Sequence, residues 1–389
     1  MNVTTLTPRA SIHLDMLRGV SALAVLLGHV RGLYFLDHRD LPGKSISVDC
    51  LYAATGLGHQ AVMVFFVLSG FFIGGSVLST IGSWSWKRYL VSRLCRLYLV
   101  LIPALVLTAG ADYFARRLPS GPIYYDRAIP HFNVESIESR SNVATFVGNA
   151  LFLQTIKVKP FGSNSPLWSL ANEFWYYILF PVLAMLLFAP NGVTYKAGLF
   201  LAACALFVWI PKWFLPGLVV WLLGAAMHFL PNRVLPNRPL TRLILTMASA
   251  AAFFTALKFS RGGTLPAMWS DLAVGGTFAL WLYCIVKIHR EKHASTPGYA
   301  STAALLSKCS HSVYATHIPL VLLIRTALGT SLWAPTPRNL VLAGGIASAV
   351  FLFGLAFSRL TEAHTDAART RLLRLLVPEP VRTPEAVSV

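Results

Sequence analysis

Arg18 and His29 stand inside one membrane-length apolar stretch, Leu14 to Leu36, which reads LDMLRGVSALAVLLGHVRGLYFL. An ionisable residue in a spanning helix is costly, so each marks a candidate functional site. His29 follows Arg18 by eleven positions. At about 100° per residue the offset is about 20° after three turns, so the two share a helix face, roughly 16 Å apart along the axis. The arginine suits an anionic ligand, and the imidazole suits a base or a nucleophile. The structural alternative is a snorkelling arginine and a packing histidine.

Other chemistry-bearing residues recur in apolar surroundings. NSPLWSLANEFWYYILFPVL carries Glu173 beside Asn172 and Trp168. Counted along antiparallel spans, Glu173 and His29 each lie roughly 10 Å below the same surface, so a carboxylate–imidazole pair is expected. An interhelical hydrogen bond is the plainer use of Glu173. In LLSKCSHSVYATHIPLVLL, Ser310, Tyr314 and His317 are four and three apart and line one helix face, as a cavity wall or as interhelical glue. Ser69 lies near the depth of Arg18, and Gly70-x-x-x-Gly74 is a weak packing motif. His59, at the other end of that stretch, faces an external substrate or water. Arg93 and Arg96 are three apart at a membrane boundary and fit a ligand phosphate, whereas Lys87 and Arg88 fit lipid headgroups.

The elements that must hold these residues are spanning helices. Hydrophobic residues make up 55% of the 389 and charged residues 12%, with mean hydropathy +0.60. These values exclude an ordinary soluble domain and indicate an all-α, multi-pass membrane protein. The net charge of +18 reflects basic loops, and no nucleic-acid-reading motif accompanies it. Asp15 and Arg18 interrupt the first apolar run, which argues against a cleaved signal. The five cysteines have no metal-type spacing, so neither a metal site nor a disulfide is expected.

Ten spans are expected near 14–36, 59–80, 97–115, 166–188, 196–211, 213–230, 242–258, 268–287, 304–328 and 339–360. The apolar piece 143–156 is too short to cross and reads as interfacial or re-entrant. An even count places both termini on one side, and the Lys/Arg excess of that side reads as cytoplasmic. The segment Arg116 to Asn142, with SGPIYYDRAIPHF, becomes an external loop on the acceptor side. One integral-membrane domain over 1–365 is expected, then a basic cytoplasmic tail over 366–389, disordered over PEPVRTPEAVSV. No internal repeat is evident, which weakens a transporter reading.

In this order the blocks resemble the acyltransferase-3 family of bacterial membrane O-acyltransferases. LDMLRGVSALAVLLGHV, FFVLSGFFI, RLCRLY, WSLANEFWYY and HSVYATHIP are similar to that family's landmarks, from Leu14 to about Leu322. Two departures stand out. The first proline after Tyr98 is Pro103, and Asn172 precedes Glu173 where two acids are common. The resemblance implies transfer of an acyl group, most commonly acetyl, from cytoplasmic acyl-coenzyme A to a hydroxyl of a surface or exported glycan. The acyl-coenzyme A is a co-substrate, with no permanently bound cofactor. It implies His29, Glu173 and Arg18 as the catalytic set and Arg93, Arg96 and Ser69 at the donor. Trp168, Asn172, Ser310, Tyr314 and His317 then line the cavity or the acceptor side. His29 acts either as base or as transient acyl carrier. The location implied is the bacterial inner membrane. A transporter or flippase for a polar lipid or sugar accounts for the same buried residues without the block order, and a structural subunit of a glycan-assembly complex is a third reading.

Overall fold

The computed structural model describes residues 6–41, 43, 45–126, 136–230, 238–288 and 296–376. Among them there is no strand, only two isolated bridges, Phe35 with Trp333 and Gln154 with Val158. α1 (Pro8–Tyr34) opens on Thr7, whose hydroxyl accepts from the Ala10 N–H at 3.2 Å, with Pro8 in the first turn. The cap satisfies one donor that a helix start leaves free, and the proline removes another. α2 (Ile46–Thr55) and α3 (Gly58–Ser79) follow. α4 (Trp86–Arg117) starts at Ser85, which caps the Arg88 N–H, and ends on Arg116 and Arg117, cations at the negative end of the helix dipole. Next come the short α5 (Gly121–Tyr125) and α6 (Val143–Ala150), then α7 (Trp168–Phe188), α8 (Val193–Trp209) and α9 (Leu215–Ala226). α10 (Pro239–Arg261) and α11 (Ala267–Tyr283) lead to α12 (Ala300–Leu328), α13 (Pro337–Leu360) and α14 (Thr365–Leu376).

Each of the ten expected stretches falls on one of these helices, but ten crossings do not follow. Among the described residues, seven segments are long and apolar enough to cross a membrane, eight if a bent pair counts as one. That pair is α8 and α9, which meet at 101°. α9 is only about 18 Å long against a hydrocarbon core of about 30 Å. The stretches 196–211 and 213–230 therefore form one broken element. α12 is long enough but is not among the seven. It carries Lys308, His311, His317 and Arg325 and packs against α1, α4 and α13, which bury His317 and Arg325 while Lys308 stays exposed. Parity of spans thus cannot place the termini. The geometry gives a simpler fact: Ser11 and Arg369 line one cavity, so both described ends of the chain lie at the same end of the bundle.

Two further expectations change. The tail begins as a helix, since α14 packs on α4; residues 377–389, with PEPVRTPEAVSV, lie outside the described residues. Positions 127–135 of the expected external loop lie outside them too. The piece 143–156 does not cross: α6 ends in turns where Phe152 and Thr155 adopt left-handed backbone (φ 55° and 68°).

Phe200, Leu201, Val208, Met247, Phe254 and Val341 are exposed, a surface that lipid covers. Inside, α3 and α9 meet backbone to backbone. A Cβ at Gly70 would lie 1.8 Å from the Trp221 carbonyl oxygen, and one at Gly224 would lie 2.0 Å from that of Val67. Small residues make this approach available where lipid supplies no hydrophobic drive between helices. Gly70→Ala is expected to push the helices apart and cost about 1–3 kcal/mol. Thermal unfolding in detergent should show a lower midpoint, and an unchanged one would contradict the contact.

Candidate active site

A cavity of about 370 Å3 opens at the end of the bundle where the two chain ends meet. α1 supplies Arg18, α4 supplies Arg93 and Arg96, and α14 supplies Asp366 and Arg369. Arg18 is held by a short network: its Nη1 lies 3.9 Å from the Asp15 carboxylate and donates to Ser307 Oγ at 3.4 Å, while Ser307 donates to Asp15 at 2.7 Å. Its guanidinium also lies 4.9 Å from the Phe72 ring centre. Arg93 donates to Ser92 at 3.1 Å, and its Nε is buried without a partner. Four arginines against Asp15, Glu173 and Asp366 leave this cavity positive on balance.

Glu173 belongs to this cavity. Ser69 Oγ donates to its carboxylate at 2.7 Å, Tyr177 OH donates to the same oxygen, and Trp221 Nε1 donates to Ser69 at 3.1 Å. Ser310 lines the cavity, its hydroxyl donating to the Ser307 carbonyl at 2.8 Å.

A second, smaller chamber of about 150 Å3 lies toward the opposite end. His29, His59, Trp168, Ser165 and Gly58 line it. Val62 and Tyr314 line both chambers and so form the wall between them. Tyr314 OH is within 2.9 Å of the Pro166 carbonyl and 2.6 Å of Ser169 Oγ, which fixes its ring. His59 Nε2 lies 2.7 Å from Asp271 and its ring stacks with Trp168 at 6.2 Å.

His29 meets His317, with ring centres 5.0 Å apart. His29 Nδ1 is 2.9 Å from the Val25 carbonyl and 3.2 Å from His317 Nε2. His317 Nδ1 is 2.7 Å from the Tyr314 carbonyl and 3.2 Å from that of Val313. A carbonyl only accepts, so each Nδ1 carries the proton in the neutral ring. The His317 Nε2 lone pair then accepts from His29 Nδ1–H, and His29 Nε2 is left unprotonated.

The expected His29–Glu173 pair is therefore not formed. The start of α7 is not at the membrane surface, because residues 161–164 before it are already buried. Asn164 Nδ2 donates to the Ala315 carbonyl at 2.8 Å and to Thr108 at 3.0 Å. α7 thus begins near the level of His317, and Glu173, further along, sits among the arginines. Two other expectations shift. Asn172 lines neither chamber; it donates to Tyr176 OH at 3.3 Å on the side of α9. His317 is fully buried behind His29 and lines neither chamber.

Six residues are not marked as site residues by the sequence alone. Asp112 accepts from Tyr125 OH at 2.9 Å and the Ser163 N–H at 2.8 Å, and so ties the entry to α7 onto α4. Gly162 (φ +55°) is required there, because a Cβ would lie 2.2 Å from that carboxylate. Arg325, fully buried, donates to the carbonyls of Leu33, Gly329 and Ser331. Both lie inside the stretches expected to span, so the rule that singled out Arg18 flags them as well. His311 lines the larger cavity with its Nε2 unpartnered, Asp15 holds Arg18, and Arg369 lies beyond the expected domain.

The model of a family described as an acyltransferase domain matches residues 12–358. The chain belongs to the acyltransferase-3 family. It is a multi-pass membrane acyltransferase, and the transporter reading gives way. No curated protein and no solved structure matches the chain. The acyltransferase-3 match runs from the second turn of α1 through nearly all of α13 but stops before α14, the helix that supplies Thr365, Asp366 and Arg369 to the larger cavity.

Proposed function

We propose that this acyltransferase moves an acyl group, with acetyl expected, from acyl-coenzyme A to a glycan hydroxyl, at the bacterial inner membrane. The donor enters from the cytoplasm at the arginine-lined cavity, and the acceptor reaches the His29 chamber from the other side. One observation carries the reading: an arginine-lined cavity and a histidine chamber share the wall Val62 and Tyr314. Arginine forks suit the donor's phosphates. A thioester extended past that wall would meet a hydroxyl beside His29.

His29 Nε2 takes the proton from the acceptor hydroxyl as its oxygen attacks the thioester carbonyl. The imidazolium keeps Nδ1–H between the Val25 carbonyl and His317 Nε2, both acceptors. His317 thereby takes the orienting place that a carboxylate has in a catalytic triad. The C–S bond breaks, an ester remains on the acceptor, and the coenzyme A thiolate recovers the proton from His29. The same lone pair could attack the thioester itself. An acyl group found on a His29 peptide after exposure to acetyl-coenzyme A without acceptor would select that route.

The test is consumption of acetyl-coenzyme A, with free thiol released, by the purified full chain plus glycan extracts, followed by mass spectrometry of the glycan. Parent protein should give an acetyl mass increment on the glycan; no thiol release with any extract would refute the reading. Arg93→Ala/Arg96→Ala should raise the donor KM by about ten-fold or more with a smaller change in kcat. Arg369→Ala should act in the same direction. Unchanged donor binding in the double variant would assign those arginines to lipid.

A further inference from the structure

A third pocket, of about 750 Å3, opens at the His29 end. Its walls are the last turn of α1, the turn His38–Asp40, α2, and the end of α10. Neighbouring stretches of chain line this pocket and the His29 chamber. Arg31 lies two positions past His29, and Gly56 lies two positions before Gly58, which lines that chamber.

Three arginines face this pocket: Arg31, Arg39 and Arg261. None forms a salt bridge among the described residues. Arg31 is placed by its neighbours. Its guanidinium lies 5.2 Å from the Tyr52 ring centre, and the Tyr52 hydroxyl donates to the Leu36 carbonyl at 2.6 Å. Its Nε is buried with no hydrogen-bond partner, although arginine carries only donors. Arg261 rests on Gly56, where a Cβ would lie 3.1 Å from the arginine Cδ and 2.8 Å from the Tyr52 carbonyl oxygen. A side chain at position 56 would narrow the pocket.

Asp37 and Asp40 line the same pocket, so among the described residues three arginines stand against two carboxylates. A bare anion gains little from that mixture. A glycosyl phosphate matches both halves: guanidinium forks take the phosphate oxygens, and carboxylates accept from sugar hydroxyls. We propose that this pocket binds the phosphate or diphosphate linkage of the acceptor, which makes the acceptor a phosphate-bearing glycan or glycolipid and not a neutral sugar. The identification of the ligand as the acceptor rests on the acyl-transfer reading. A bilayer headgroup offers the same phosphate chemistry, so the test separates the two sources.

The full chain is placed in phosphatidylcholine nanodiscs and titrated with farnesyl diphosphate as probe. Binding should weaken with salt and fall by about ten-fold or more in Arg39→Ala/Arg261→Ala. Both side chains are exposed, and unchanged coenzyme A binding by the variant checks its fold. The same titration in phosphatidylglycerol nanodiscs should still show binding. Equal binding by parent and variant, or none by either, overturns the proposal. Loss of binding once phosphatidylglycerol is present overturns it too, by showing a lipid headgroup seat. Acetyl-coenzyme A consumption measured in parallel reads the acyl-transfer claim separately, because probe binding needs no turnover.

Discussion

His29→Ala should abolish acyl transfer while leaving donor binding intact. The expected fall in kcat is about 10²- to 10⁴-fold, the range for removing a positioned general base. The donor KM should change little, because the arginines proposed for the donor line the Arg18 cavity, away from His29. Thiol release and glycan acylation, assayed together, report the loss. A variant that transfers at near-parental rate would remove His29 from the chemistry. His311, whose Nε2 is unpartnered in the Arg18 cavity, would then be the imidazole to examine.

His317 should matter almost as much, although it lines neither chamber. His317→Phe keeps a ring but removes the lone pair that holds His29 Nδ1–H. His317→Gln keeps a polar group and serves as the milder variant. We expect kcat to fall by about a hundred-fold for His317→Phe, with less loss for His317→Gln. In the His29→Ala background the His317 loss should nearly vanish, since groups acting as a unit are not additive. Glu173→Gln should behave differently. Its partners are Ser69 and Tyr177 beside the arginines, so its effect should fall on the donor side and add to that of His29→Ala. Fully additive losses for His29 and His317 would mean that the two rings work apart.

Much of the scaffold was legible because apolar length is a strong signal in a membrane chain. The stretches for α1, α4, α7 and α13 stand out by hydropathy alone. Their number was not legible. The 101° bend between α8 and α9 hinges near Pro211, and a proline between two apolar runs marks a sharp kink and a turn between spans equally well. The Arg18 face of α1 was legible from period alone, but the partners across helices were not. Depth counting needs the true start of each span, and the buried entry 161–167 hides that start for α7. Glu173 therefore falls to Ser69 and not to His29, and of the two readings open for His317 the interhelical one holds, since it backs His29. α14 was hidden for another reason. TDAARTRLLRLL is basic and short, so it reads as a tail until α4 gives it a surface to pack on.

The central claim is that His29 offers an unprotonated Nε2 because Val25 and His317 hold its proton on Nδ1. Nitrogen-15 NMR of histidine-labelled protein tests it directly, with His29 and His317 assigned by their absence in the single variants. Near neutral pH, both rings should show a pyrrole-type Nδ1 and a pyridine-type Nε2. A pyrrole-type Nε2 on His29 would contradict the account, since no lone pair would then face the acceptor hydroxyl.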